Sequence, residues 1–410
     1  MKKALTMCLA LVLLMGCLAG CGKSNDKPAV TPEPTATVTV TDTPTPTPED
    51  TTTPTPSPEP VPPEVFLREV FAQHNMKVGT CLTTKMINNE QMAKLILKQF
   101  SSVTMENSMK PDYIFNKDKS IETGNLVVEF NSDMIQMLDW AKANNMAVRG
   151  HTLVWYSQTP QWIFHEDFDT KKPLVSREVM LARLDSYVKQ VFTMLQEQGY
   201  ADIIYAYDVV NEAVMEDGGL RKDMNNWYAT IGDDFIKQAF IVANKYAPEN
   251  IALYYNDYNE QFKTDALEAL AKSLVDEQGN SLIDGIGFQA HLYTEDDLTA
   301  YFKTVDQLSA LGLKIELTEL DVSLGRWQHE LKATDENLRV QGQYYYNLIN
   351  GIFARADAGT LNIDALTFWG FSDGQSWRKS ASPLLYNSAF RPKPAFYGAA
   401  QIKEYAGFDQ

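Results

Sequence analysis

A β-strand is predicted for Leu313-Lys314-Ile315-Glu316-Leu317-Thr318-Glu319-Leu320-Asp321-Val322, because branched apolar residues alternate there with polar ones after a glycine. Residues two apart in a strand point to the same face, so Glu319 and Asp321 share a face with Leu317. Carboxylates on the apolar side of a core strand are costly unless they are used or satisfied. Glu319 is therefore a functional group, a member of a buried salt bridge, or a residue on an edge strand that meets water.

Bulk composition limits the classes of protein to which the chain can belong. Its 410 residues are 44% hydrophobic, which is enough for one large packed domain or two ordinary ones. The net charge of -17 argues against a nucleic-acid partner or an anionic membrane surface, since both need a basic protein surface. A neutral or cationic ligand fits this charge, and the many aromatic residues suit stacking on sugar rings.

The cysteines and the short N-terminal motifs bear on export. Met1 to Gly20 carry two lysines, an apolar run and then small residues, which is the layout of a secretory signal peptide. Leu18-Ala19-Gly20-Cys21 resembles a bacterial lipoprotein cleavage box, with Cys17 ending a poorer second candidate. We expect a lipid anchor on Cys21 and a protein secreted to the outer face of the bacterial membrane. A soluble secreted protein is the alternative.

Residues 21–63 predict a disordered tether, since their Thr-, Pro- and acid-rich repeats cannot form an apolar face. The folded domain is expected at residues 64–410, and Cys81 is the one cysteine within it. A single cysteine excludes an intradomain disulfide and a cysteine-based metal site, so a buried inert thiol is favoured. No metal or cofactor is expected.

Short β-rich runs alternate with amphipathic patterns along the folded region. Strands are predicted at Val78–Leu82, Ser102–Glu106, Ala147–Trp155, Tyr205–Asn211, Ile251–Asn256, Gly285–His291, Lys314–Asp321 and Leu366–Phe371. Helices are predicted at Ser132–Asn144, Ser176–Gln198, Asp233–Tyr246, Thr264–Glu277, Asp297–Leu311 and Glu336–Ala356. This order fits an α/β fold of the (β/α)8 TIM barrel type. A doubly wound sheet is disfavoured because it needs fewer strands and a phosphate-binding first turn.

Polar and aromatic side chains crowd the carboxyl ends of these strands, where a barrel carries its working residues. Helix capping would explain one or two of them, but not the whole set. Glu212 ends the fourth strand and Glu319 the seventh, on nearly opposite sides of the mouth. Paired carboxylates that flank a bond are what glycosidic cleavage needs, and their separation decides between retention and inversion.

A series of motifs resembles the family 10 glycoside hydrolases, the endo-β-1,4-xylanases, over residues 64–407. They are Thr104-Met105-Glu106-Asn107-Ser108-Met109-Lys110-Pro111, His151-Thr152-Leu153-Val154-Trp155, Asp208-Val209-Val210-Asn211-Glu212-Ala213, Tyr255-Asn256-Asp257-Tyr258-Asn259, Gly285-Ile286-Gly287-Phe288-Gln289-Ala290-His291 and Thr318-Glu319-Leu320-Asp321. The resemblance implies a retaining double displacement with Glu319 as nucleophile and Glu212 as general acid/base. It also places His291 and Asp321 in one network with Glu319. His291 and Asn211 are expected to donate hydrogen bonds that keep Glu319 ionised.

The same resemblance implies a set of xylan contacts. The sugar-binding residues carried over from the family are Glu106, Asn107, Lys110, His151, Trp155, Gln158, Asn211, Tyr258, Gln289, His291, Trp369 and Trp377. Trp369 and Trp377 are expected to reject glucans by filling the space of the glucose CH2OH. Tyr156 stands where the family often has histidine, and little effect on the chemistry is expected. The chain is expected to act as a monomer, and a catalytically silent xylan-binding surface lipoprotein is the alternative function.

Overall fold

The computed structural model describes residues 62–408, in which nine parallel strands form one sheet that closes on itself. They are β1 (Lys77–Leu82), β2 (Ser102–Met105), β3 (Ala147–Trp155), β4 (Ile204–Asn211), β5 (Ala252–Asp257), β6 (Gly285–Phe288), β7 (His291–Tyr293), β8 (Lys314–Ser323) and β9 (Ala365–Phe368). The ring closes where β1 pairs with β9. β6 and β7 both pair with β8 and lie two residues apart in the chain, so they share one position. Eight positions result, and the predicted (β/α)8 barrel is confirmed.

Helices surround the barrel and cover its outer face. They are α1 (Leu67–Ala72), α2 (Thr84–Ile87), α3 (Glu90–Gln99), α4 (Pro111–Ile114), α5 (Lys117–Thr123), α6 (Ser132–Ala143), α7 (Arg177–Glu197), α8 (Asn226–Ile231), α9 (Phe235–Tyr246), α10 (Thr264–Ser273), α11 (Leu298–Ser309), α12 (Asp335–Asp357) and α13 (Pro394–Ala399). Polar caps fix several starts: Ser176 accepts from the Val179 N–H at the start of α7. Because side chains fill the barrel and helices cover it, the strands are buried on both faces.

Two of the predicted strands are longer than the strands in the structure. The predicted strand Gly285–His291 is interrupted because Ala290 adopts a left-handed backbone with φ of 55°. The predicted strand Leu366–Phe371 ends at Phe368, since Gly370 has a φ of 119° and its N–H turns back to the Phe368 carbonyl. Both breaks lie at the mouth of the barrel, where the chain leaves the sheet to place side chains over the cleft.

The seventh barrel strand, β8, is central rather than an edge. It pairs with β6 and β7 on one side and with β9 on the other, and both of its faces are buried. The edge-strand alternative for Glu319 is therefore excluded, and its carboxylate must be satisfied inside the fold.

The predicted signal peptide and nearly all of the predicted tether lie outside the described residues. Between residues 62 and 408, no helix combines the length and the hydropathy that a bilayer crossing requires.

Candidate active site

A cleft of about 690 Å³ opens at the carboxyl ends of the barrel strands. It is lined by every residue that the sequence predicted for catalysis and sugar binding: Glu106, Asn107, Lys110, His151, Trp155, Gln158, Asn211, Glu212, Tyr258, Gln289, His291, Glu319, Trp369 and Trp377. Asp321 lies fully buried beneath this surface. Parallel strands bring their ends together at one side of a barrel, so residues far apart in sequence meet here. Cys21 lies outside the described residues.

Glu319 is buried near the end of β8 and is held by polar neighbours. Asn256 donates a 2.8 Å hydrogen bond to its Oε1, and Nε2 of His291 lies 3.4 Å from its Oε2. Burial alone would raise the pKa of Glu319, but His291, the charge of His151 and Lys110 oppose this and lower the pKa to about 2. Glu319 therefore stays ionised over the whole range in which enzymes usually work.

Asp321 supports the His291 ring from the other side. Its Oδ2 lies 3.1 Å from Nδ1 of His291 and accepts a 3.0 Å hydrogen bond from the Trp377 indole. Burial would lower the pKa of His291, but Asp321 and Glu319 together raise it to about 9. A charged imidazole is thus held between two carboxylates, and this arrangement stabilises the anionic form of Glu319.

Glu212 lies just beyond the end of β4, in a left-handed conformation with φ of 56° that turns its side chain into the cleft. Gln289 donates to its Oε1 at 3.0 Å and the Trp155 indole donates to its Oε2 at 3.1 Å. Burial raises the pKa of Glu212, the Gln289 hydrogen bond lowers it, and the charges of Asp257 and Glu319 raise it. The net shift is upward, opposite to that of Glu319.

One expected contact of Asn211 is wrong. Asn256, not Asn211, donates to Glu319, and Asn211 Oδ1 accepts from both Asn256 (2.9 Å) and Gln289 (3.2 Å). The Asn211 amide lies 3.4 Å from Glu212 instead. Because the Oδ1 of Asn211 is bound on both sides, Asn211 links the surroundings of the two carboxylates through amide hydrogen bonds.

A polar clamp lies on the β2 and β3 side of the cleft. Lys110 donates to Asn107 (3.1 Å) and Gln158 (2.8 Å), and its ammonium lies 4.9 Å from the centre of the Trp155 ring. Glu106 lines the cleft beside it. Burial lowers the pKa of Lys110 and raises that of Glu106. Amide, ammonium and carboxylate groups beside an aromatic face are suited to the hydroxyls and ring face of a sugar.

Comparisons with known proteins agree with this geometry. Residues 66–402 match the profile of glycosyl hydrolase family 10. The chain belongs to this family. It is 36% identical over 356 residues to endo-1,4-β-xylanase Y of Acetivibrio thermocellus, covering 82% of this chain but 32% of that protein. It is also 36% identical over 315 residues to a putative endo-1,4-β-xylanase of Caldicellulosiruptor saccharolyticus, covering 73% of this chain and 97% of that one.

A solved structure extends the likeness of this family 10 member to three dimensions. The CBM22-1–GH10 modules of the Clostridium thermocellum endo-1,4-β-D-xylanase 10B, complexed with xylohexaose, superpose with a TM-score of 0.74 at 34% identity. The match covers 84% of this chain and 69% of that chain. The expected family is thereby confirmed.

The sequence analysis missed Arg378, which lines the cleft, and Arg221, which contacts the lining residues Tyr156 and Tyr258. Arg378 donates to Asp321 at 3.1 Å, and Arg221 donates to the Tyr258 hydroxyl at 2.9 Å. Arg221 also lies over the ring of Tyr156, 4.3 Å from its centre, so the residue that departs from the family pattern has a cationic partner. Arg378 directly follows the predicted Trp377, which was an available signal. Arg221 lies in the loop between β4 and α8, well beyond the end of the strand, and nothing in its sequence position indicated a contact with the cleft lining.

Asp208 was part of a recognised motif but had no role assigned. It accepts from Nδ1 of His151 at 2.8 Å and from Arg149, and all three side chains are buried. This fixes the orientation of the His151 ring in the cleft. Within residues 62–408, no group of three or more His, Cys, Asp or Glu side chains is arranged to hold a metal ion.

Proposed function

We propose that the chain is an endo-1,4-β-xylanase that cleaves internal β-1,4 bonds of xylan with retention of configuration. The observation that carries the proposal is the opposite pKa shift of two carboxylates in one cleft of a family 10 fold, the buried Glu319 and the half-buried Glu212. Glu319 has a pKa of about 2, whereas the pKa of Glu212 is raised. Such a pair supplies one anion and one acid at the same pH.

The two residues would act in sequence. Glu212 gives its proton to the glycosidic oxygen while the Glu319 carboxylate attacks the anomeric carbon, so the leaving chain departs and a glycosyl ester forms. Glu212, now ionised, takes a proton from water, which attacks the same carbon and releases Glu319. Two inversions give net retention. Trp155 and Gln289 hold the Glu212 carboxyl during both proton transfers.

Xylan is the proposed substrate because of the walls and floor of the cleft. Trp369 is buried at the barrel mouth, and the half-exposed Trp377 is tied to Asp321 by its indole N–H. These rings leave little room for an exocyclic CH2OH, so xylose units fit better than glucose units. The relative of known structure carries xylohexaose, which supports a cleft for several xylose units.

The test is the release of reducing ends from xylan, cellulose and barley glucan, with the anomer of the first product followed by proton NMR. We expect activity on xylan above that on the glucans, and β-configured reducing ends before mutarotation. The alternative of a silent xylan-binding protein predicts retention of xylan on affinity gels without any release. Products with the α configuration would instead require an inverting mechanism.

The location of the protein is a separate proposal. The Leu18-Ala19-Gly20-Cys21 box supports a lipid anchor on Cys21, with residues 21–63 as a spacer that holds a monomeric domain 64–410 outside the membrane. Cells fed labelled palmitate would incorporate the label into the wild type and into Cys17→Ala but not into Cys21→Ala. Loss of the label in Cys17→Ala rather than in Cys21→Ala would assign the anchor to Cys17. A protein found unlabelled in the medium would support the soluble alternative. Light scattering of the purified protein tests the monomer.

A further inference from the structure

A buried carboxylate beneath the cleft has no role in the proposed reaction. Glu260 begins a 3₁₀ turn, Glu260–Phe262, shortly after β5, and its side chain is 1% exposed. Its Oε1 accepts the backbone N–H of Ala290 at 3.4 Å. Its Oε2 is also buried but has no hydrogen-bond partner among the described residues. Burying a carboxylate that is only half satisfied is costly, which points to a use for it.

Ala290 is the backbone hinge between the two cleft-facing residues that contact the catalytic carboxylates. It separates β6 from β7 and has a φ of 55°, a conformation that a residue with a side chain rarely adopts. Gln289 on one side donates to Glu212. His291 on the other side lies against Glu319. A rotation of the peptide at this hinge would therefore displace both contacts at once.

We propose that Glu260 is a positioning residue for the reaction proposed above: it holds the Ala290 backbone so that Gln289 and His291 set the ionisation of Glu212 and Glu319. Glu260 touches neither carboxylate and acts only through the hinge. Since Gln289 lowers the pKa of Glu212 and His291 lowers that of Glu319, a loosened hinge raises both pKa values together.

Losing the charge of Glu260 and losing its hinge contact have opposite effects on the pKa of Glu212, so experiments can distinguish the two roles. The pKa of Glu260 is raised to about 7, mainly by burial. Hydrogen bonds from its own backbone N–H and from the Ala290 N–H lower the pKa, as does the charge of Lys263, whereas the charge of Asp257 raises it. The buried Tyr301 hydroxyl of α11 also senses this charge. Removing a negative charge lowers the pKa of nearby carboxyl groups. Because Glu260 is neutral at the pH where Glu319 titrates, loss of its charge can lower only the pKa of Glu212, whereas loss of the hinge contact raises both catalytic pKa values.

Three variants distinguish the contact from the charge. Glu260→Ala removes both, Glu260→Asp keeps the charge but withdraws it from Ala290, and Glu260→Gln keeps an acceptor for the Ala290 N–H without the charge. The control is Glu268→Ala, which removes a carboxylate on α10 that is paired with Lys272 and Gln307. Each variant is assayed on xylo-oligosaccharides for the pH profile of kcat/KM, and its glutamate carboxyls are titrated by 13C NMR.

We expect both limbs of the profile to move up by about 0.5 to 1 pH unit in Glu260→Asp. In Glu260→Ala the acid limb should move up by the same amount, whereas the loss of charge opposes the shift of the basic limb. In these two variants kcat should fall roughly tenfold with little change in KM, because the cleft surface is intact but the reacting groups are misplaced. Glu268→Ala should keep both wild-type limbs, and Glu260→Gln should keep the acid limb while its basic limb moves down, because this variant loses only the charge. If Glu260→Ala does not fold, the contrast between the aspartate and glutamine variants decides.

Limbs that stay in place in Glu260→Asp, with or without a lower melting temperature, would overturn the positioning role. An acid limb that also stays in place in Glu260→Ala, with a basic limb that moves down as in Glu260→Gln, would assign the effect to charge. A wild type that releases no sugar would refute the proposed function instead, and the NMR titrations would still measure whether Glu260 controls the pKa values of Glu212 and Glu319.

Discussion

The ionisation of Glu319 is the residue-level property from which the proposed reaction follows. Its low pKa depends on the charged ring of His291, since burial acts in the opposite direction. In His291→Ala the pKa of Glu319 should rise. Because the group must be ionised to react, activity is lost as pH falls through this pKa, so the acid limb of kcat/KM should move up by about 1 pH unit or more.

A 13C NMR titration of the glutamate carboxyls checks this prediction, together with the pH profile of kcat/KM followed down to about pH 2. The control is His165→Ala, which removes a histidine outside the cleft lining that contacts the Lys172 carbonyl. An acid limb that coincides in the His291 variant and the wild type would show that another group keeps Glu319 ionised.

The division of labour between the two carboxylates can be tested by chemical rescue. In Glu319→Gly hydrolysis should be abolished, and azide should restore cleavage of an aryl xyloside by attacking from the vacated side to give an inverted glycosyl azide. In Glu212→Ala only aryl glycosides with good leaving groups should still form the intermediate, because they need no proton. Product NMR with azide distinguishes the outcomes, and the reverse pattern would exchange the two roles.

The sequence predicted the cleft better than it predicted the contacts inside it. Strand-end positions follow from periodicity, so the sequence alone places Glu212 and Glu319 at the same mouth of the barrel. Whether Asn211 or Asn256 reaches Glu319 depends on the left-handed turn at Glu212 and on strand stagger, which periodicity does not encode. Arg221 comes from a loop after β4, where no pattern constrains the path of the chain.

At the level of elements, β3, β4 and β8 are joined inside the barrel by a buried ionic cluster. Arg149 contacts Asp208 and Glu316, and all three side chains are about 1% exposed. Arg149→Met removes the cation and leaves buried carboxylates unpaired, so it should destabilise the fold by about 3–5 kcal/mol. It should also loosen His151, which Asp208 orients.

Urea unfolding of Arg149→Met measures this cost. Lys94→Ala is the matched control, since it breaks an exposed pair with Glu90 on α3, where less than about 0.5 kcal/mol is expected. Similar costs for the two variants would contradict a stabilising role for the cluster.

At the level of the whole molecule, the start of the self-sufficient fold can be located within α1. Leu67 and Phe71 are fully buried, and the Leu67 N–H donates to the buried Gln99 side chain at 2.9 Å. A chain that starts at residue 62 keeps these contacts and should match the full-length protein in melting temperature and in kcat/KM on soluble xylo-oligosaccharides. A chain that starts at Met76 loses both side chains from the core, at roughly 1.5–3 kcal/mol each.

Calorimetry of the three chains tests this boundary. The shorter truncation should give one transition at the temperature of the full-length domain, and the longer one should unfold at a clearly lower temperature or fail to fold. Because α1 packs against β1, where the barrel closes onto β9, its loss should also weaken that closure. A Met76 start that is as stable as the full chain would show that the barrel closes without α1, and the structural boundary would then lie after Phe71 rather than before Leu67.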